Sequence, residues 1–80
     1  MAQREILSPL PGTFYRKPSP EAPPFVNEGD RIAVGDAIGL VEVMETFNKI
    51  EADVAGRVVR FLVENEGPVE AGQALLIVEG

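Results

Sequence analysis

The chain has 80 residues, of which 45% are hydrophobic and 25% charged, a composition typical of one small globular domain and too short for two. Seven lysine and arginine residues against thirteen aspartate and glutamate residues give a net charge of −6, which opposes binding to nucleic acid or to an anionic membrane. Because cysteine and histidine are absent, disulfides, thiolate metal sites and histidine general bases are excluded, and we assign no catalytic or metal-binding residue.

The chain begins with early charge and no long apolar run, and no later window approaches the length of a membrane span. We therefore expect a cytoplasmic protein. Eight glycines and seven prolines then divide the sequence into short pieces, so that no dozen residues show an unbroken helical period. Strands are predicted at residues 5–8, 12–15, 31–32, 37–43, 47–52, 56–62, 68–69 and 74–79. Eight short strands predict an all-β fold, a flattened barrel or sandwich.

The two halves of the chain resemble each other. Three sets of positions match in order: Ile6 and Gly12 with Ile50 and Gly56 at an offset of 44, residues 27–29 with 65–67 at an offset of 38, and residues 35–42 with 72–79 at an offset of 37. A unit this short cannot bury its apolar face alone, so two copies must pack together around a pseudo-twofold axis. The fold predicted is therefore two four-stranded sheets.

The first copy holds extra residues. The offset falls from 44 to 38 between Gly12 and Gly29, which places six additional residues within residues 16–25, a stretch with four of the seven prolines. Proline-rich insertions are stiff and cannot pair inside a sheet, so this segment is predicted to protrude from the fold. The alternative is a tolerated surface loop without a function.

The two copies meet at Met44, Glu45 and Thr46, which are predicted to form a tight hairpin exposed at the end opposite the chain termini. Core packing does not explain an apolar methionine at an exposed hairpin tip. Acidic residues gather around this hairpin, namely Glu42, Glu45, Glu51 and Asp53. They form either a solubilising face or a surface that steers the chain toward a basic partner.

Two groups of motifs resemble the biotin carboxyl carrier protein of acetyl-CoA carboxylase and, more distantly, lipoyl domains. They are Gly12-Thr13-Phe14-Tyr15-Arg16 with Pro18-Ser19-Pro20, and Val41-Glu42-Val43-Met44 with residues 48–53 and Gly56. The resemblance covers nearly the whole chain and implies one biotinyl/lipoyl-like domain over residues 1–80. Its repeats would span about 5–43 and 47–79, with a thumb-like insertion at about 16–25. In such a thumb, Pro18, Ser19, Pro20, Glu21 and Ala22 would contact the prosthetic group.

The resemblance also locates an attachment site, because the family pattern at the hairpin is Met-Lys-Met, with Thr or Leu sometimes at the third place. Met44 and Thr46 match the flanking residues, whereas Glu45 stands where the biotin-bearing lysine belongs. A carboxylate cannot replace the nucleophilic amine, so no covalent biotin is expected at residue 45. Lys17 and Lys49, the two lysines present, lie outside the flanking residues and are not expected to substitute.

The family role is that of a carrier in fatty acid biosynthesis, without catalysis of its own. The partners implied are biotin carboxylase and carboxyltransferase subunits and a biotin protein ligase. Three accounts of Glu45 stay open: a lysine changed by engineering in an intact carrier site, a natural homologue that has lost the modification, or a one-base sequence error. Under the second account the chain acts as an unmodified binding or regulatory module.

Overall fold

A computed structural model describes residues 2–80, and Met1, the first residue of the predicted domain, lies outside the described part. Eight strands and no helix occur in these residues, which confirms the predicted all-β class. The strands are β1 (Gln3–Leu7), β2 (Gly12–Tyr15), β3 (Arg31–Ile32), β4 (Ala37–Val43), β5 (Thr46–Glu51), β6 (Gly56–Phe61), β7 (Gly67–Val69) and β8 (Ala74–Glu79). Residues 2–80 thus offer no helix that could cross a lipid bilayer.

The strands form two antiparallel sheets of four strands each. One sheet has the order β1-β8-β6-β3 and the other β5-β4-β2-β7. Advancing every strand of one sheet by four positions along the chain gives the other sheet, which is the predicted pseudo-twofold relation. The sheets remain separate, so the sandwich form of the expectation is correct and the closed barrel is not.

The core lies between the sheets and receives equivalent residues from both halves. Strands β4 and β8 show the same burial order over their first six residues. The equivalent residues Ile38 and Leu75 are fully buried. Val41 and its counterpart Val78 each have no more than 1% of their surface exposed. The apolar faces of two units that could not fold separately therefore cover each other.

The backbone amides that donate hydrogen bonds in the connecting turns repeat at an offset of 37, whereas the acceptors Phe14 and Val58 lie 44 residues apart. The amide of Gly29 donates to the Val58 carbonyl at 2.7 Å, and that of Glu66 donates to the Phe14 carbonyl at 2.6 Å. Gly29 and Glu66 also share a positive φ, of 97° and 66°. The predicted offset of 38 in this region was wrong by one residue, so the first half contains seven extra residues and not six.

The extra residues lie outside both sheets, in residues 16–25, here called the insertion loop. The loop leaves β2 after Tyr15 and is closed at its base by the Phe25 amide, which donates to the Arg16 carbonyl at 2.9 Å. A turn within it is held by the Ala22 amide, which donates to the Ser19 carbonyl at 3.2 Å. The insertion loop therefore has internal order without strand pairing.

Candidate functional site

The hairpin between β4 and β5 has a two-residue turn. Val43 pairs with Thr46, so only Met44 and Glu45 lie between the strands, whereas the sequence predicted three linking residues. Both turn residues have positive φ, of 49° and 67°. This matches the turn type that follows the twist of antiparallel strands, but that type favours asparagine and glycine. A side chain in this region costs about 1–2 kcal/mol per residue.

The turn projects its side chains into solvent. Met44 is 92% exposed, and Glu45 and Thr46 are exposed as well. Below the turn, the Asn48 side-chain amide donates to the carbonyls of Val41 and Thr46, both at 3.3 Å, and fastens the two arms together. The turn is therefore supported by side-chain hydrogen bonds and exposes the side chain of residue 45.

The turn offers no amine to which a carboxyl group could be joined. Glu45 supplies a carboxylate, and Lys49 lies four residues further on in β5, opposite Leu40. Lys17 belongs to the insertion loop, in a different part of the chain. A prosthetic group attached through an amide to a lysine therefore does not fit residue 45.

The insertion loop borders a groove on the outer face of the β5-β4-β2-β7 sheet. This aromatic groove has a volume of about 310 Å³, and its lining includes Tyr15, Pro18, Ser19, Pro20, Phe47 and Glu66. The structure thus brings three of the five predicted loop residues together. Glu21 and Ala22 lie outside the lining, as do the turn residues Met44, Glu45 and Thr46.

An aromatic pair forms part of the groove, and we did not single it out from the sequence. The rings of Tyr15 and Phe47 have centroids 5.8 Å apart and are tilted by 58°. The Tyr15 hydroxyl donates to Oε1 of Glu42, on the neighbouring strand β4, at 3.1 Å. Phe47 remains 57% exposed. Strand alternation could have revealed the pair. Phe14 and Ile50 point into the core, and side chains an odd number of positions away, such as Tyr15 and Phe47, point to the outer face.

The acidic surroundings change the chemistry of Tyr15. Its hydrogen bond to Glu42 raises the pKa of the Tyr15 hydroxyl above the ordinary value of 10.0. Partial burial and the negative charges of Glu42 and Glu66 raise the pKa further. Two carboxylates therefore act on the same phenol, one on β4 and one just before β7, the two strands that flank β2.

Arg16 anchors the insertion loop to the second half of the chain. Its guanidinium lies 4.1 Å from the centre of the Phe61 ring, and Nη2 donates to the Val63 carbonyl at 3.2 Å. The Arg16 amide donates to Oδ1 of Asn65 at 2.8 Å. The base of the loop is therefore fixed next to the turn that carries Glu66.

Comparisons with known proteins assign the chain to a family. The family model described as "Biotin-requiring enzyme" matches residues 4–78. The biotin carboxyl carrier protein of acetyl-CoA carboxylase from a Nostoc species is 47% identical over 75 residues, which cover 94% of this chain and 41% of that protein. The corresponding Haemophilus influenzae protein is 47% identical over 92% of this chain and 48% of its own length. The chain thus spans less than half of these relatives.

Solved structures with the same fold come from much longer carboxylases. The urea carboxylase of Kluyveromyces lactis matches with a TM-score of 0.80 and 25% identity, over 99% of this chain and 6% of that one. A single-chain, multi-domain long-chain acyl-CoA carboxylase matches with a TM-score of 0.76 and 25% identity, over 94% of this chain and 7% of that one. The family model covers most of the chain, and the relatives named above are more than 30% identical to it. The chain therefore belongs to the biotin/lipoyl domain family.

Proposed function

We propose that this chain is a carrier-type domain of an acetyl-CoA carboxylase-type, biotin-dependent enzyme, with Glu45 at the position of the biotin-bearing lysine. The observation that carries the proposal is the two-residue turn of Met44 and Glu45, exposed between two strands at the junction of the repeats. The similarity to carrier proteins of acetyl-CoA carboxylase over more than 90% of the chain supports the same role.

In this proposal residue 45 carries no biotin. When bound, biotin supplies a ring that accepts and releases a carboxyl group, and its attachment requires a lysine amine. The Glu45 carboxylate cannot form that amide. Lys49 lies within a paired strand, and Lys17 borders the aromatic groove, so neither amine stands at a turn between Met44 and Thr46.

The proposed role involves docking and presentation, and catalysis belongs to other subunits. The partners would be biotin carboxylase and carboxyltransferase components, with a biotin protein ligase recognising the hairpin when a lysine stands at residue 45. The strained turn favours this role, because unfavourable backbone conformations are held in place by the surrounding structure and cluster at functional sites. A location in the cytoplasm and a place in fatty acid biosynthesis stay predictions that accompany this proposal.

A second candidate is an unmodified binding or regulatory module of the same fold. The exposed Phe47 ring beside Tyr15 favours this candidate, since the pair offers a contact surface that does not depend on residue 45. In such a module, docking to carboxylase subunits would persist without transfer of a carboxyl group.

Restoring the amine tests the carrier proposal. Glu45→Lys protein, incubated with a biotin protein ligase, biotin and ATP, should gain one biotin by intact-mass measurement, with residue 45 identified by peptide mapping. The unchanged protein should gain none under conditions that label an authentic carrier. Glu45→Arg is the matched control, because arginine restores the positive charge without a nucleophilic amine.

The result depends on the variant being folded, which amide-resolved NMR spectra would establish first. A folded Glu45→Lys protein that stays unlabelled would reject the carrier proposal and leave the binding module. Labelling of the Glu45→Arg control would instead identify Lys17 or Lys49 as an acceptor, which double replacement of both by arginine would verify.

A further inference from the structure

The aromatic groove exposes apolar surface that the fold does not use. Phe47 contributes nothing to the buried core, yet its ring is held against Tyr15 on the outer face of the sheet. An exposed ring that is ordered by a neighbour, in a concave site, is typical of a contact surface for another molecule.

The walls of the groove are built from rigid segments. Pro18 and Pro20 fix the backbone of the wall that the insertion loop forms, and both rings are exposed. The opposite wall comes from the turn before β7, where Asn65 accepts a hydrogen bond from the Arg16 amide. Rigid walls lose little conformational entropy when a ligand binds, so the groove is preorganised for binding.

Two carboxylates and one amine surround the aromatic rings. Glu42 accepts a hydrogen bond from the Tyr15 hydroxyl at 3.1 Å, and Glu66 lines the groove. Lys17 is the lining residue with the opposite charge. Aromatic faces attract cations, and carboxylates beside them strengthen that attraction, which selects a cationic ligand over an anionic or neutral one.

We propose that the aromatic groove docks an arginine side chain from a basic segment of a partner protein. The guanidinium plane would stack on Phe47 and Tyr15 while its N–H groups donate to Glu42 and Glu66. Arginine fits better than lysine because its planar, weakly hydrated head stacks on aromatic rings and presents five N–H donors, enough to reach both carboxylates. The net charge of −6 would guide such a basic segment toward the chain.

This docking role does not depend on residue 45. A failure to biotinylate Glu45→Lys would leave it standing, and a failure of docking would leave the carrier proposal standing. The groove lining contains neither Met44 nor Glu45, so the two sites can be altered separately.

The test is an NMR titration of the isotope-labelled chain with the peptide acetyl-Gly-Gly-Arg-Gly-Gly-amide. The same peptide with citrulline in place of arginine is the control, since citrulline keeps the shape and loses the charge. We expect saturable shifts at the amides of Tyr15, Phe47 and Glu66, with an affinity about tenfold higher for the arginine peptide. Equal affinity for both peptides would overturn the proposal, as would shifts confined to Glu51 and Asp53.

Variants give a second measurement. Phe47→Thr should weaken arginine binding about tenfold, because a threonine keeps the strand and removes the ring. Leu7→Thr, at a residue 48% exposed on the other sheet, is the matched control and should change nothing. Lys17→Met should tighten binding by removing the competing cation. Unchanged binding by Phe47→Thr would reject the groove as the arginine site. Shifts at Phe47 that depend on protein concentration without any peptide would also overturn the proposal, because they would identify a second copy of the chain as the occupant.

Discussion

Gly12 and Gly56 occupy equivalent places in the two halves of the fold. A Cβ atom on Gly12 would collide with the Glu42 carbonyl oxygen and touch a methyl group of Val41, and one on Gly56 would lie 2.5 Å from the Glu79 carbonyl oxygen and 2.8 Å from a methyl group of Val78. Each glycine thus lets its strand approach the end of the long buried strand of its own sheet, β4 or β8.

Gly12→Ala should destabilise the fold by about 3 kcal/mol, because the new methyl group meets backbone that cannot move without breaking the sheet. Urea denaturation would measure the loss. Gly35→Ala is the matched control: its φ of 97° strains an alanine, but nothing lies within 4 Å of the new atom, so a loss of only about 1 kcal/mol is expected. Equal losses for the two variants would contradict the close approach at Gly12.

The turn residue Glu45 should be replaceable by glycine with a gain in stability. Glycine adopts a φ of 67° without a steric penalty, so Glu45→Gly should stabilise the fold by up to about 1 kcal/mol. Lys49→Gly, an exposed change inside β5, should instead lose about 0.5–1 kcal/mol. Thermal and urea unfolding would compare the two, and a loss at both positions would show that the turn is not strained.

The Tyr15 hydroxyl should report on its acidic neighbours. Since Tyr15 is the one tyrosine and the chain has no tryptophan, its ionisation can be followed by the absorbance of the phenolate. The pKa raised in the folded state stabilises the fold below pH 10.0, and this contribution is lost as the pH rises through the folded pKa. Glu42→Gln should lower the Tyr15 pKa, because it removes the carboxylate that accepts the hydrogen bond and repels the phenolate. A pKa unchanged in Glu42→Gln would exclude Glu42 as the principal cause.

The sequence was sufficient for the order of strands and for the symmetry, because glycines and prolines divide the chain into short strand-like pieces and the two halves repeat their residues in the same order. It was misleading at the turn before β7. The sequence comparison aligned Gly29 with Gly67 because both are glycines. In the structure the residue with the matching positive φ is Glu66, a residue type that does not predict this conformation. Backbone conformation at a non-glycine residue is fixed by tertiary hydrogen bonds, here from the Glu66 amide to the Phe14 carbonyl, and these are invisible in the sequence.

The sequence predicted the turn of the candidate site but not the aromatic groove. Local chain order located Met44 and Glu45 at a turn, since the repeats end on either side of them. The groove requires Tyr15, Phe47 and Glu66 to converge from three separate segments. Pairing of β2 and β5 with β4 brings two of these residues together, and no spacing along the chain encodes that neighbourhood.

Arg16 should stabilise the insertion loop through contacts that a surface ion pair cannot match. Its guanidinium stacks on Phe61 and donates to the Val63 carbonyl, and the residue is half-buried, so both interactions are partly shielded from water. We expect Arg16→Ala to cost about 1–2 kcal/mol in urea unfolding and to speed amide exchange within residues 16–25. Arg57→Ala is the matched control, because its ion pair with Glu79, at 3.2 Å, has an arginine side chain 52% exposed and should contribute less than about 1 kcal/mol. If Arg16→Ala is as mild as Arg57→Ala and leaves exchange in the loop unchanged, then the loop is held by its own prolines and the Phe25 hydrogen bond, and Arg16 is not its anchor.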